Sequence, residues 1–176
     1  METLPVVILE SERLIFRRHI ASDKDSFCAM EMDADVRCYV GGYPRSREDA
    51  ERRFSNVLKT PAGDMNMGAT VLKSDGAYIG RCGLYQHILS RGDIEEEVGV
   101  LAYYIAKAYW NKGYASEAGS AFVQFGFNVI GVNKIVTTIE MGNSASIHIA
   151  KKLGFYIEAK EFGEKRSFAH LRLDRK

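Results

Sequence analysis

The segment Tyr109-Trp110-Asn111-Lys112-Gly113-Tyr114-Ala115-Ser116-Glu117-Ala118 holds the residues best suited to chemistry in this sequence. It joins an apolar, β-rich stretch to a strongly amphipathic one, so it reads as the turn between a strand and a helix. The first N–H groups of a helix have no intrahelical acceptor and lie at the positive end of its dipole. Such a turn binds phosphate without much net charge. Gly113 removes the side chain that would block an anion, Ala115 keeps the next position small, and Lys112 can add a positive charge. A Walker-type loop needs lysine after its glycine, whereas Lys112 precedes Gly113, and a dinucleotide fingerprint needs three glycines where this turn has one. The same letters also suit an ordinary turn glycine followed by small residues that serve helix packing.

A second constellation follows after another strand: Asn143-Ser144-Ala145-Ser146-Ile147-His148-Ile149-Ala150-Lys151-Lys152-Leu153-Gly154-Phe155. Asn143 suits a helix cap. Ser146, one turn further on, carries a hydroxyl that can donate and accept a hydrogen bond, or simply cap and pack. His148 is two residues from Ser146, which places it on another helix face as a surface histidine. Glu95, Glu96 and Glu97 form an acidic run that reads as solvated.

These groups need elements to position them. Arg13-Leu14-Ile15-Phe16-Arg17 alternates as a first strand, and Ser22 with Asp25 and Ser46 with Asp49 mark two helix starts, the second followed by Ala50, Phe54, Val57 and Leu58. Residues 70–73 and 77–80 flank Ser74-Asp75-Gly76 and read as a hairpin. After a polar break at 90–93, the stretch 98–105 is long, apolar and aromatic, as expected of a central strand buried on both faces. The clearest helix runs from about 114 to 130, with Ala115, Ala118, Phe122, Phe125 and Val129 at spacings of three and four, and Gly131 placed to stop it. Residues 134–139 are a β-branched strand, a short helix follows to Leu153, and 156–159 and 168–171 can pair as a last hairpin. The fold class is α+β, a mixed α/β arrangement of one sheet with helices on its faces.

The chain has 176 residues, 46% of them apolar and 27% charged, with 3 prolines, which suits one globular domain over 1–176. With 24 basic and 23 acidic side chains, the net charge of +1 gives no field to hold a nucleic acid, and no such partner is expected. Cys28, Cys38 and Cys82 are odd in number and never spaced as C-x-x-C, so they read as buried free thiols, with no disulfide framework and no metal site. Residues 1–9 lack a positively charged leader and no stretch reaches membrane-spanning length, so the expected address is the cytoplasm, with no membrane partner.

Four motifs, in this order, carry a resemblance. They are Glu12-Arg13-Leu14-Ile15-Phe16-Arg17; Asp35-Val36-Arg37-Cys38-Tyr39-Val40-Gly41-Gly42; Trp110-x-x-Gly113-x-Ala115; and Asn143-x-x-Ser146 with Lys152-x-Gly154-Phe155. Together they resemble the GNAT superfamily of acetyl-CoA-dependent N-acetyltransferases, and within it the branch related to ribosomal-protein N-terminal acetyltransferases. The resemblance covers nearly all of the chain, with Trp110 standing where the wider superfamily has Gln or Arg. It implies a three-layer fold whose mixed, mostly antiparallel sheet splays where the strands around 98–105 and 134–139 near their C-terminal ends. It also implies acetyl-CoA as cofactor. Pantetheine would lie in the gap against backbone groups near Tyr104 and Ile105. The pyrophosphate would sit on the turn formed by Asn111, Lys112, Gly113, Tyr114, Ala115 and Ser116, and Asn143 would hold the pantetheine arm. The acceptor would be a peptide or small-molecule amine, and the protein a monomer or homodimer.

The reaction so implied is attack of a neutral primary amine on the thioester, with a backbone N–H stabilising the oxyanion and two protons to manage. A tyrosine that often protonates the thiolate is replaced here by Ala150, and Ser146 is the branch's substitute. The glutamate common on the central strand, thirteen residues before the turn glycine, is Val100 here. Glu97 would face the other side of a regular strand unless a bulge re-aimed it, and Glu96 shares the face of Val100 but lies roughly 13 Å back. The catalytic candidates are therefore Ser146 and Glu97. Without a well-placed base the amine's own pKa matters: deprotonation at pH 7 costs about 4.6 kcal/mol for a lysine and about 1–1.4 kcal/mol for an α-amine. Such a site favours a peptide N-terminus. The alternative is a CoA-binding sensor or scaffold without turnover. Tyr39, Tyr43 and Tyr85 can line the acceptor pocket or belong to the core.

Overall fold

The alternating run near the start forms a strand, Leu14–Arg17, with Leu14 and Phe16 fully buried, but it is the second of the sheet. Ahead of it Val7–Glu10 pairs antiparallel as the first. That edge strand is four residues long with exposed ends, so it carries no strand periodicity to read. The computed structural model describes residues 6–59, 67–91 and 94–176. Residues 1–5 of the opening run, and Gly92 and Asp93 of the polar break, lie outside the described residues.

With β1 (Val7–Glu10) and β2 (Leu14–Arg17) come β3 (Gly68–Leu72), β4 (Tyr78–Arg91), β5 (Ile94–Ile105), β6 (Lys134–Glu140), β7 (Tyr156–Phe162) and β8 (Ser167–Asp174). They form one sheet in the order β1-β2-β3-β4-β5-β6-β8-β7. The β5–β6 pair is parallel and every other neighbouring pair is antiparallel. Strand β5 starts earlier than its apolar stretch, because Glu95, Glu96 and Glu97 continue an unbroken register with β4. The helices are α1 (Lys24–Met32), α2 (Ala34–Arg37), α3 (Arg47–Lys59), α4 (Tyr114–Phe125) and α5 (Ser144–Lys152). None among the described residues is long and apolar enough to cross a membrane.

Local signals set most helix boundaries, with three corrections. The Asp49 N–H donates to Ser46 Oγ at 3.1 Å, as the second helix-start signal requires. At α1 the fixing residue is Asp23 instead of Ser22. Its carboxylate accepts the Ile20 N–H and is held by both terminal nitrogens of Arg17 at 2.8 Å, so the chain enters through a 3₁₀ turn at Ala21–Asp23. An unexpected short helix, α2, is capped by Asp33, whose Oδ1 accepts from the N–H groups of Asp35 and Val36. Gly131 does end the long helix in a left-handed conformation, φ 85°, but its last five residues, Gly126–Ile130, widen into a π turn. That change of period rotates Val129 out to solvent, where it is 69% exposed.

Each sheet face has its own apolar core. On one, Phe16, Leu84, Leu101, Ile135 and Leu171 pack with Phe122 of α4 and Ala150 of α5. On the other, Phe27 and Cys28 of α1 meet Ala50 and Phe54 of α3. Cys28 and Cys82 are buried free thiols; Cys38, just past α2, is exposed, contrary to expectation. Glu31 of α1 is 2% exposed and lies within salt-bridge distance of four guanidinium groups, those of Arg81 (2.8 Å), Arg45 (2.8 Å), Arg37 (3.5 Å) and Arg53 (3.7 Å). One carboxylate thus ties α1, α2, α3 and β4 together, a junction with no local sequence signal.

His19 sits among the rings of Phe27 (5.7 Å), Tyr78 (5.9 Å) and Phe54 (6.3 Å). Burial, reinforced by the nearby Arg81 charge, lowers its pKa to about 4. The folded state therefore binds fewer protons at this site than the unfolded chain, whose histidine titrates near 6.5. The stabilisation is present above about pH 6.5 and is lost as pH falls toward 4. Urea unfolding at pH 7 and pH 5 should show the midpoint falling in wild type, with a smaller fall in His19→Gln; equal falls would refute the assignment.

Candidate active site

Strands β5 and β6 pair at only two positions, Gly99 with Ile135 and Val100 with Val136. Beyond them the strands part. Each keeps its outer neighbour: β8 pairs with β6 from Lys134 to Glu140, and β4 pairs with β5 up to Ile105. A cavity of about 640 Å³ fills the opening, walled by residues 101–105 of β5, residues 137–140 of β6, the turn before α4 and the start of α5. The Ala106 N–H donates to the Ile79 carbonyl. In an unbroken antiparallel ladder that phase turns the backbone of Tyr104 toward β4, and the backbones of Leu101, Tyr103 and Ile105 toward the gap. The gap-facing groups near the expected Tyr104 and Ile105 are therefore those of Tyr103 and Ile105, while Tyr104 contributes its side chain to the wall.

The turn into α4 holds two residues at positive φ, Asn111 at 61° and Gly113 at 83°. Asparagine is among the few side chains that tolerate that region, and Gly113 needs no Cβ there. Trp110 donates its indole N–H to the Ile105 carbonyl at 2.6 Å. Trp110 thus clamps the turn to the end of β5. Asn111, Gly113, Tyr114, Ala115 and Ser116 all line the cavity, but Lys112 does not. Its ammonium lies 5.3 Å over the Tyr109 ring, because the left-handed residues on either side swing that side chain away.

Helix α5 brings Asn143, Ala145, Ser146, His148 and Ile149 to the opposite wall. The Asn143 Oδ1 accepts the Ser146 N–H at 3.1 Å, so the cap is made. His148 is exposed as expected but shares the cavity face, since Ala145, His148 and Ile149 recur at spacings of three and four. Tyr103 reaches across from β5 and donates its hydroxyl to the Ser146 carbonyl at 3.3 Å. Burial pushes that phenol up to about 12, which keeps it protonated at neutral pH. Sequence reasoning missed Tyr103; the signal was its alternation with Tyr104, which commits the two rings to opposite faces of β5.

Glu97 is not brought into the cavity. The β4–β5 register runs from one end to the other without a bulge, so nothing re-aims it, and its Oε1 accepts from Gln86 Nε2 at 2.6 Å. Glu96 is paired with Lys134. The carboxylates that do line the cavity are Asp35, paired with Lys107, and Glu140, paired with Arg166. Arg166 also donates to the Tyr39 carbonyl at 3.0 Å, joining the loop after α2 to the end of β6. Tyr39 lines the cavity, Tyr43 and Tyr85 do not, and all three are exposed rather than core.

Comparison with known proteins bears on this geometry. The family model described as "Acetyltransferase (GNAT) domain" matches residues 13–156. The N-acetyltransferase p20 of Bacillus licheniformis, itself described as uncharacterized, is 27% identical over 152 residues, 85% of this chain and 83% of that one. A GNAT-family acetyltransferase from Bacillus anthracis superposes with a TM-score of 0.77 at 20% identity, covering 97% of this chain and 98% of its own. A spermidine N-acetyltransferase from Vibrio cholerae, solved with CoA and spermine, gives 0.73 at 15% identity, over 92% and 95% of the two chains.

The Asn143 cap can be tested independently of any ligand. Asn143→Ala should lower the unfolding free energy by about 1 kcal/mol in urea titrations, the usual loss when a capping side chain is removed. A change below a few tenths would mean that the bond at Ser146 carries no weight.

Proposed function

Because this chain belongs to the GNAT acetyltransferase family, which uses acetyl-CoA, we propose that it transfers the acetyl group to a primary amine, favouring a peptide N-terminal α-amine. The observation that carries this reading is the parting of β5 and β6 after two paired positions, with a cavity in the opening. The backbone of Tyr103, with the Leu101 carbonyl and the Ile105 N–H, is a gap-facing strand edge of the kind that accepts an extended amide-bearing arm, as an added strand would; the Ile105 carbonyl is already taken by Trp110. Amides at the start of α4, from Gly113 to Ser116, take the pyrophosphate, with Asn111 shaping the turn. Asn143 keeps its Oδ1 for the helix cap and offers the rest of its amide to the arm.

The protein's own groups account for the protons unevenly. Ser146, on the cavity wall one turn into α5, gives a hydrogen bond to the departing thiolate. On the amine side Val100 supplies no base, Glu97 faces elsewhere, and the carboxylates of Asp35 and Glu140 are occupied by Lys107 and Arg166. The amine must therefore arrive neutral, which favours groups of low pKa. The likeness to the branch of ribosomal-protein N-terminal acetyltransferases agrees with that preference. Unpaired cysteines suit a reducing compartment, and we place the activity in the cytoplasm, carried by residues 1–176 as one domain.

The decisive experiment is release of free CoA thiol from acetyl-CoA across matched peptides with free α-amines, lysine peptides, polyamines and aminoglycosides. The α-amine peptides should turn over fastest at pH 7. A clear preference for lysine or spermidine would overturn the base-poor reading, and CoA binding without turnover on any amine would favour a sensor or scaffold. Ser146→Ala should lower kcat by about tenfold to a hundredfold, the value of a hydrogen bond to a charged group, with the melting temperature preserved. An unchanged kcat would return Ser146 to a packing role.

A further inference from the structure

The phosphate turn is held from a distant part of the chain. Arg13, 99 residues before Lys112 and just ahead of β2, donates from Nη1 to the Lys112 carbonyl at 3.1 Å. Its Nε donates to Glu117 Oε2 at 2.7 Å, and its guanidinium lies 4.5 Å over the ring of Tyr114. The Nη2 end sits beside Gly113, where a Cβ would be 3.3 Å away. No described residue accepts from that nitrogen in the hydrogen-bond pattern, and the side chain is 44% exposed. The cation next to Gly113 is thus Arg13, while the ammonium of Lys112 is turned onto Tyr109.

Glu117 makes this arrangement necessary. It lies in the first turn of α4, and its carboxylate accepts from Ser11 Oγ at 2.6 Å and from the Arg13 backbone N–H at 2.7 Å as well as from Arg13 Nε. Burial alone would raise its pKa, but these donors bring it below the usual carboxylate range, so it is charged at neutral pH. A negative side chain there suits the helix dipole but opposes an anion on the same turn. The guanidinium cancels that charge and turns its remaining N–H groups toward the turn.

We propose that Arg13 is a positioning residue of the CoA phosphate site, fixing the turn at Lys112–Gly113 and shielding the bound diphosphate from Glu117. This rests on the role given above to the turn before α4. Two consequences separate it from a general structural part. In the free protein, hydrogen exchange at the amides of residues 112–116 is faster in Arg13→Gln than in wild type, because the strap on the Lys112 carbonyl is gone. Affinity for CoA falls by about tenfold or more, the value of charge-assisted bonds at a partly exposed site, and the deficit narrows at high salt as charges are screened. Adding Glu117→Gln to Arg13→Gln restores part of the affinity by removing the bare carboxylate.

The test is calorimetric titration of CoA into wild type, Arg13→Gln, Arg13→Lys, the Arg13→Gln/Glu117→Gln double variant and Gly113→Val, with exchange measured on each without ligand. If Arg13→Gln does not fold, Arg13→Lys decides: it keeps the charge but not the forked bridge, so the exchange must rise and the affinity drop. A folded Arg13 variant that binds CoA within about twofold of wild type, with unchanged exchange, overturns the inference. If Gly113→Val loses affinity in that case, the turn keeps its role and only the part given to Arg13 falls. If Gly113→Val also binds normally, the site itself has been misplaced and both ideas fail together.

Discussion

Two neighbouring parallel strands that stop pairing is the constraint from which the rest of the site follows. Backbone N–H and C=O groups inside a protein must find partners, so an opened ladder is tolerable only where another chain, water or a ligand can occupy it. The sheet keeps the defect local by holding both strands from outside, β5 by β4 over its full length and β6 by β8 from end to end. Because the two strands run the same way, the segments that leave them emerge at the same end of the opening. The turn into α4 and the cap of α5 are therefore delivered to one mouth, as happens at crevices beyond the carboxyl ends of parallel strands.

What the sequence makes legible is what a short window can determine. The Ser46 cap, the left-handed Gly131, the cap at Asn143 and the alternation that ends β5 at the turn are all settled by near neighbours. What it hides is held across the sheet. The grip of Arg13 on Glu117, the reach of Tyr103 to Ser146 and the four guanidinium groups around Glu31 join segments that no periodicity connects. Lys112 shows the limit most clearly: its position in the turn is local, yet its direction depends on left-handed residues on both sides. For Glu97 the open question was a bulge, and a bulge depends on how β4 pairs with β5, which the glutamates alone do not reveal.

A net charge near zero conceals a strongly uneven distribution. Around Glu31 cations outnumber anions four to one, whereas at the cavity Asp35 and Glu140 are each matched by a basic side chain. On the function proposed, an amine entering the cavity meets carboxylates already engaged, and it gains from them only by displacing Lys107 or Arg166. On the same proposal, that arrangement leaves shape and proton affinity, more than long-range attraction, to choose among amines.

The place of β8 between β6 and β7 sets an order on biosynthesis. As the chain leaves a ribosome, β7 emerges before the strand that separates it from β6, and until Ser167–Asp174 is available β6 has only its two-pair contact with β5. A nascent chain arrested at that stage exposes two unpaired edges side by side, a arrangement prone to misassembly. The wall on which Ser146 stands is consequently secured only once β8 has been made, and the opening between β5 and β6 takes its final width no earlier than that step.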